Sequence, residues 1–194
     1  AAERLLRHWL SVRWFRKALQ AADYRSYREV SSHRFALQVG INAKDDPVLP
    51  DMVFSLPVAD YLARRPLQWP PQVIGLGVMA YRGWNVDDAT GEQIYATYLA
   101  KLTRLARTLL SKGYHLRLLT GARESDPATV ADLLATLSAD ERARVTANPI
   151  QSYQDVLAEI AETDLVIATR FHNVLKALLL ERPVISIEYG HKNT

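Results

Sequence analysis

The chain has 194 residues, 48% of them hydrophobic, with nine prolines and eight glycines. That is enough for one ordinary domain with a buried core plus an appendage. It has no cysteine, which excludes a disulfide framework, a thiolate metal site and a cysteine nucleophile, and fits a reducing compartment.

A formal net charge of +3 is too mild to indicate nucleic acid as a partner. No run reaches the roughly 18 apolar residues needed to span a bilayer. The five histidines, at positions 8, 33, 115, 172 and 191, form neither an i,i+4 pair nor an HExxH motif, so no metal site is expected.

Residues 2–20 read as a basic helix. Leu5, Leu6, Trp9 and Leu10 follow helical spacing among Arg4, Arg7, Arg16 and Lys17. Such a helix suits an anionic membrane surface. Packing against a domain is the favoured reading, because the polar face is not cleanly separated.

Residues 22–28 alternate and predict a short strand. Ser31 or Ser32 is expected to cap a short helix from His33 to Val39, closed by Gly40. Arg28 then falls in a strand-to-helix turn, facing an anion or paired with Glu29. A polar loop follows, and Met52–Leu56 predict a short strand. Asp51, just before it, reads as a helix-anchoring carboxylate or as a general base. Residues 60–71 carry three prolines and read as a linker.

From residue 72 the pattern is regular. Strands are predicted over 72–79, 114–120 and 144–148. The helices are a long one over 91–112, capped by Thr90 and closed by Gly113, one from Pro127 to about 137, an extra turn at 140–144, and one over 153–162 capped by Ser152. Strands alternating with helices predict an α/β fold with a doubly wound, parallel, Rossmann-like sheet. The domain reading is an N-terminal helical and short-strand segment over 1–65 and the α/β domain over 66–194. Gly75 and Gly77 lie within a strand and lack the third glycine of a dinucleotide fingerprint. Gly121 follows a strand without a phosphate-loop sequence, and no serine sits in a nucleophile elbow.

The last stretch, from Asp164 to Asn193, organises the rest. Leu165–Ala168 predict a buried strand that breaks at Thr169 into Arg170-Phe171-His172, the start of a Leu/Ala-rich helix. Glu181-Arg182-Pro183 stop that helix, and Val184–Ile187 form the next strand. Thr169 can cap the helix. Ligands of open α/β sheets bind at the carboxyl ends of strands, and helix N-termini favour anions. Arg170 offers a fork for carboxylate or phosphate, and His172 can carry a proton. Two readings follow: a cationic site for an anionic ligand, or Arg170 paired with a nearby carboxylate and His172 packed on its helix.

The run ATRFHNVLKALLLERPVISIEYGHKN resembles the C-terminal signature of the polysaccharide pyruvyl transferases. Its parts are an Arg-x-His turn, a Leu/Ala helix, a Pro-Val-Ile strand and a Tyr-x-x-Lys exit. Tyr27-Arg28-Glu29-Val30-Ser31-Ser32 resembles that family's Arg-Asp/Glu-x-x-Ser turn, and Asp51-Met52-Val53-Phe54-Ser55 its Asp-x-x-Phe-Ser segment. The likeness spans about residues 20 to 194, and its Arg-x-His block is the most specific part.

The resemblance implies transfer of pyruvyl from phosphoenolpyruvate to a saccharide acceptor, giving a cyclic ketal. Arg28, Arg170 and Lys192 would hold the donor, with His172 as general acid or phosphate ligand and no cofactor beyond the donor substrate. It also implies the C-terminal half of a two-domain, GT-B-like architecture, so the chain reads as a fragment. Acceptors of the family are often lipid-linked, which implies a cytoplasmic location at the inner membrane surface with peripheral membrane contact. The competing readings are a GT-B-type sugar-nucleotide glycosyltransferase and a non-catalytic glycan- or membrane-binding module.

Overall fold

Five short apolar runs form the strands: β1 Val73–Gly77, β2 His115–Leu119, β3 Val145–Thr146, β4 Leu165–Ala168 and β5 Val184–Ser186. In the computed structural model, which describes residues 9–188, they make one sheet in the order β3-β2-β1-β4-β5. Every pairing is parallel. The chain builds outward from β1 through β2 to β3, then returns to add β4 on the other side of β1. The strand order therefore reverses between β1 and β4, the position where ligands of such sheets bind.

The described helices are α1 Trp9–Gln20, α2 Val30–Gln38, α3 Ala59–Leu62, α4 Asp88–Ser111, α5 Asp126–Thr136, α6 Ala139–Arg142, α7 Tyr153–Ala161 and α8 Phe171–Leu179. A parallel sheet must be covered on both faces, and the two-residue alternation of side chains divides its strands accordingly. Ile74, Leu76, Val78, Leu116, Leu118 and Ile167 face Leu102, Ala106 and Leu110 of α4 and Leu133 of α5. Leu119, Val166 and Ala168 face Val156, Leu157 and Ile160 of α7 and Ala177 of α8. The predicted doubly wound α/β sheet is what the chain forms.

The glycines of β1 are explained by the second face. A Cβ at Gly75 would come within 2.9 Å of Leu119 Cδ1, and one at Gly77 within 2.9 Å of the Ala168 Cα. They allow β1 to sit tightly against its neighbours, a packing role for the two glycines.

The amino end of the sheet is held by Asp164, which is fully buried. Its carboxylate accepts the backbone N–H groups of Gln72 at 3.0 Å, Val73 at 2.9 Å and Gln68 at 3.4 Å. It also takes both Nε and Nη2 of Arg65, at 3.3 and 3.1 Å. Arg182, itself buried, donates to the Arg65 and Ala161 carbonyls. The proline-rich stretch before β1 is thus fastened at several points. Burial opposes ionisation of Asp164, but the Val73 and Gln72 N–H groups and Arg65 hold its carboxyl below the usual carboxylate range.

The contacts divide the chain into two compact units at Phe54/Ser55. In the first unit, Tyr27 pairs with Val48 in a single parallel bridge where a strand was expected over 22–28. Helix α2 starts at Val30, so Ser31 and Ser32 lie in its first turn and the N-cap position falls to Glu29. Gly40, at φ +82°, closes that helix as expected. Met52–Ser55 is a 3₁₀ turn and not the expected strand, because Asp51 Oδ1 accepts the Val53 N–H at 3.0 Å and turns the chain. A small core of Tyr27, Ala36, Ile41 and Ala43 closes the unit. Arg25 bridges to Asp46 at 2.7 Å beneath it.

Within the second unit the cap at the start of the long helix differs from expectation. Asp87, not Thr90, caps α4, accepting the Thr90 N–H at 2.9 Å. Ser152 caps α7 in a reciprocal pairing with Asp155, as the sequence suggested.

Candidate active site

Where β1, β2 and β4 end, three loops meet one buried carboxylate. Asp126, the first residue of α5, has no exposed surface. Its Oδ2 accepts the Gly121 and Ala122 N–H groups, each at 2.9 Å, and its Oδ1 accepts the Ala80 N–H at 3.2 Å. The chain follows β2 with a turn whose two amides converge on this side chain, and the loop after β1 adds the third.

Arg170 completes the cluster from the end of β4. Its Nε donates to Asp126 Oδ2 at 2.9 Å and its Nη2 to Oδ1 at 2.5 Å, the two-pronged geometry that makes Arg–carboxylate pairs strong. Burial works against the Asp126 charge, but Arg170 and the Gly121 and Ala122 amides outweigh it and hold the carboxyl below the usual range. The Arg170 side chain stays a quarter exposed.

Arg170, rather than Thr169, occupies the N-cap position of α8, and its side chain does not cap the helix because it is turned to Asp126. His172 is exposed in the first turn of α8. Asn173, one residue on and buried, donates to the Thr120 carbonyl at 3.3 Å, tying the start of α8 to the end of β2. The structure therefore brings Arg170 and His172 together at the positive end of a helix dipole, at the crevice where the sheet order reverses.

Arg28 lies in the first unit. Its Nη1 donates to Asp51 Oδ2 at 2.7 Å and its Nη2 to Glu29 at 3.2 Å. Two segments singled out separately in the sequence are thus joined, with Asp51 serving both Val53 and Arg28. Lys192 lies outside the described residues.

The sequence reading did not pick out Asp126. Its one local signal was its place beside Pro127 in the first turn after a strand, and that marks a helix start as readily as a site. On the same side of the sheet, a groove of about 450 Å³ runs along the start of α4, with Tyr81, Gln93, Thr97, Tyr98 and Lys101 among its lining residues. The Tyr81 and Tyr98 rings meet edge to face at 6.1 Å, and the Tyr98 hydroxyl accepts the Met79 N–H at 3.1 Å. Trp84 stands 61% exposed in the loop between them. That loop is shaped by Gly83 and Asn85, both at positive φ.

Among the described residues no cluster of three histidine, aspartate or glutamate side chains could hold a metal ion. No described helix is long and apolar enough to cross a membrane.

Comparison with curated proteins gave no match. The family model described as polysaccharide pyruvyl transferase matches residues 8–191, nearly the whole chain, and takes in Arg28, Arg170 and His172. A transferase family defined on saccharides accords with a crevice that offers arginine and histidine at a helix N-terminus, and the chain belongs to the polysaccharide pyruvyl transferases.

Proposed function

We propose that the crevice at Arg170 and His172 binds phosphoenolpyruvate and transfers its pyruvyl group to two hydroxyls of a saccharide. The observation that carries this reading is the Arg170 guanidinium. It is pinned along its Nε–Nη2 edge by Asp126, and its Nη1 edge makes no hydrogen bond among the described residues. An oriented cation edge beside a helix N-terminus suits a small dianion or trianion.

In the reaction, a proton adds to the methylene carbon of the donor and the adjacent carbon becomes oxocarbenium-like. One sugar hydroxyl attacks that carbon. The C–O bond to phosphate then breaks, and the second hydroxyl attacks. Of the two hydroxyl protons, one ends in the new methyl group and the other on phosphate, so donor plus diol gives ketal plus inorganic phosphate. His172 supplies the proton or bonds the departing phosphate. A placed proton donor is worth about 10²–10⁴-fold. Arg170 balances charge on the leaving group, and the family resemblance names Arg28 and Lys192 as further phosphoenolpyruvate-binding residues. The groove beside α4, with Tyr81 and Tyr98, is the surface we assign to the acceptor ring. A location at the cytoplasmic membrane surface, next to lipid-linked acceptors, is supported by Trp9 and Trp14, which α1 leaves 65% and 69% exposed.

The test is calorimetric titration of phosphoenolpyruvate, and in parallel of a UDP-sugar, into the chain and its Arg170→Ala variant. Phosphoenolpyruvate binding that is lost with Arg170 is the expected result. Binding of the UDP-sugar in place of phosphoenolpyruvate would replace this reading with a glycosyltransferase.

A further inference from the structure

We propose that Gly121 and Asp126 are positioning residues that form a cradle for Arg170, fixing which edge of its guanidinium meets the ligand. The proposal rests on the reading that Arg170 binds phosphoenolpyruvate, and adds two residues that touch no ligand.

Three observations lead to it. The first is that Asp126 already receives three backbone amides. A carboxylate held so firmly cannot swing to follow an arginine, so the arginine must adopt the orientation the carboxylate dictates. Both prongs are engaged, at 2.9 and 2.5 Å, which leaves the guanidinium plane little rotational freedom.

The second is Gly121. It is absent from the residues at positive φ, so its backbone conformation does not call for glycine. What calls for it is space. A Cβ there would lie 2.4 Å from Arg170 Cδ and 3.2 Å from its Nε. The stem of Arg170 crosses directly over Gly121, and any side chain would push the guanidinium off Asp126.

The third is exposure. The Arg170 side chain is 25% exposed while Asp126 is at 0%. Exposure alone does not mark a ligand site, since Arg65 beside the buried Asp164 is 24% exposed. At Arg170 the exposed edge stands at the carboxyl ends of the strands, and a fixed direction there is the general value of preorganisation.

Two substitutions disturb the cradle by different routes. Gly121→Ala displaces Arg170 and leaves every charge in place. Asp126→Asn keeps the volume but sets an amide N–H₂ against donors. Each is read in the full chain by two measurements. One is the ¹⁵N–¹H signal of the Arg170 Nε, assigned by its loss in Arg170→Lys and used to follow exchange with water. The other is phosphoenolpyruvate titration. In the wild type the Nε proton should exchange slowly, and in both variants the signal should broaden or vanish. Affinity should fall by about tenfold or more in each.

A Gly121→Ala protein that keeps the slow Nε proton, or whose affinity stays within about twofold while Arg170→Ala abolishes binding, would overturn the cradle. Unchanged binding in Arg170→Ala would instead overturn the donor-site reading, and the Nε signal would still judge the cradle. Gly121→Ala stays informative if Asp126→Asn fails to fold.

Discussion

The two ends of the sheet carry the same device put to different uses. At each end a fully buried aspartate collects three backbone N–H groups and the Nε and Nη2 of one arginine. At the amino end, Asp164 draws all of these donors from residues 65–73, a single stretch of chain. At the carboxyl end, Asp126 takes them from the loops after β1, β2 and β4. The first arrangement fastens one segment to the sheet. The second gathers three strand ends around a crevice, and its arginine, about as exposed as Arg65, stands at the carboxyl end of the sheet. What separates a structural buried ion pair from a candidate functional one is therefore not its strength but which elements converge on it.

The largest effects should come from removing either carboxylate. Asp164→Ala leaves Arg65 and three amides without their acceptor, and Asp126→Ala does the same to Arg170 and its amides. Each should destabilise the second unit by about 3–5 kcal/mol, read from urea midpoints. The two should part in the presence of donor. Phosphoenolpyruvate should raise the melting temperature of the wild type and of Asp164→Asn, but not of Asp126→Asn. Equal protection of both variants would mean that Asp126 has no bearing on the crevice.

A smaller, steric version of the comparison uses two glycines. At Gly77 a Cβ meets the Ala168 Cα at 2.9 Å, which is backbone and cannot yield. At Gly121 it meets the Arg170 side chain, which can swing away. Gly77→Ala should therefore cost about 1–3 kcal/mol of stability by forcing β1 and β4 apart. Gly121→Ala should change the melting temperature far less while weakening donor binding. Chemical denaturation of both variants, beside the titration above, checks the reversal.

Much of this architecture was legible in the chain because local physics dictated it. The run Leu165–Ala168 forms β4 with the bounds its apolar pattern suggested, and Gly40 and Gly113 close their helices at positive φ. The doubly wound sheet followed from strand–helix alternation alone. Arg170 and His172 stood out because a strand-to-helix junction is visible in one dimension. Asp126 and Asp164 did not. Their meaning depends on partners 44 and 99 residues away, and an isolated aspartate before a helix or a strand looks the same whether it is buried or solvated. The 3₁₀ turn at Met52 was missed for a related reason: Met-Val-Phe reads as a strand until Asp51 bends it by accepting the Val53 amide.

The last and smallest effect concerns pH, where the two ends should behave alike before they differ. Both carboxyls sit below the usual range in the folded protein, despite burial, because of their amides and arginines. An unfolded aspartate titrates near about 3.9. A group depressed on folding contributes stability that is fully present above that value and is lost as pH falls through the folded value. The stability gap between the wild type and Asp164→Asn should thus be flat from about pH 5 upward and shrink below about pH 4. The Asp126→Asn gap should follow the same course in urea midpoints taken at stepped pH. Only at the carboxyl end should acid carry a second consequence. Protonating Asp126 removes the acceptor that fixes Arg170, so the slow Nε proton of Arg170 should begin to exchange in the same acid range, while that of Arg65 follows Asp164. If the Arg170 proton loosens well above the range in which the Asp126 gap shrinks, the carboxylate does not hold the arginine. The likeness between the two ends would then extend only to their geometry.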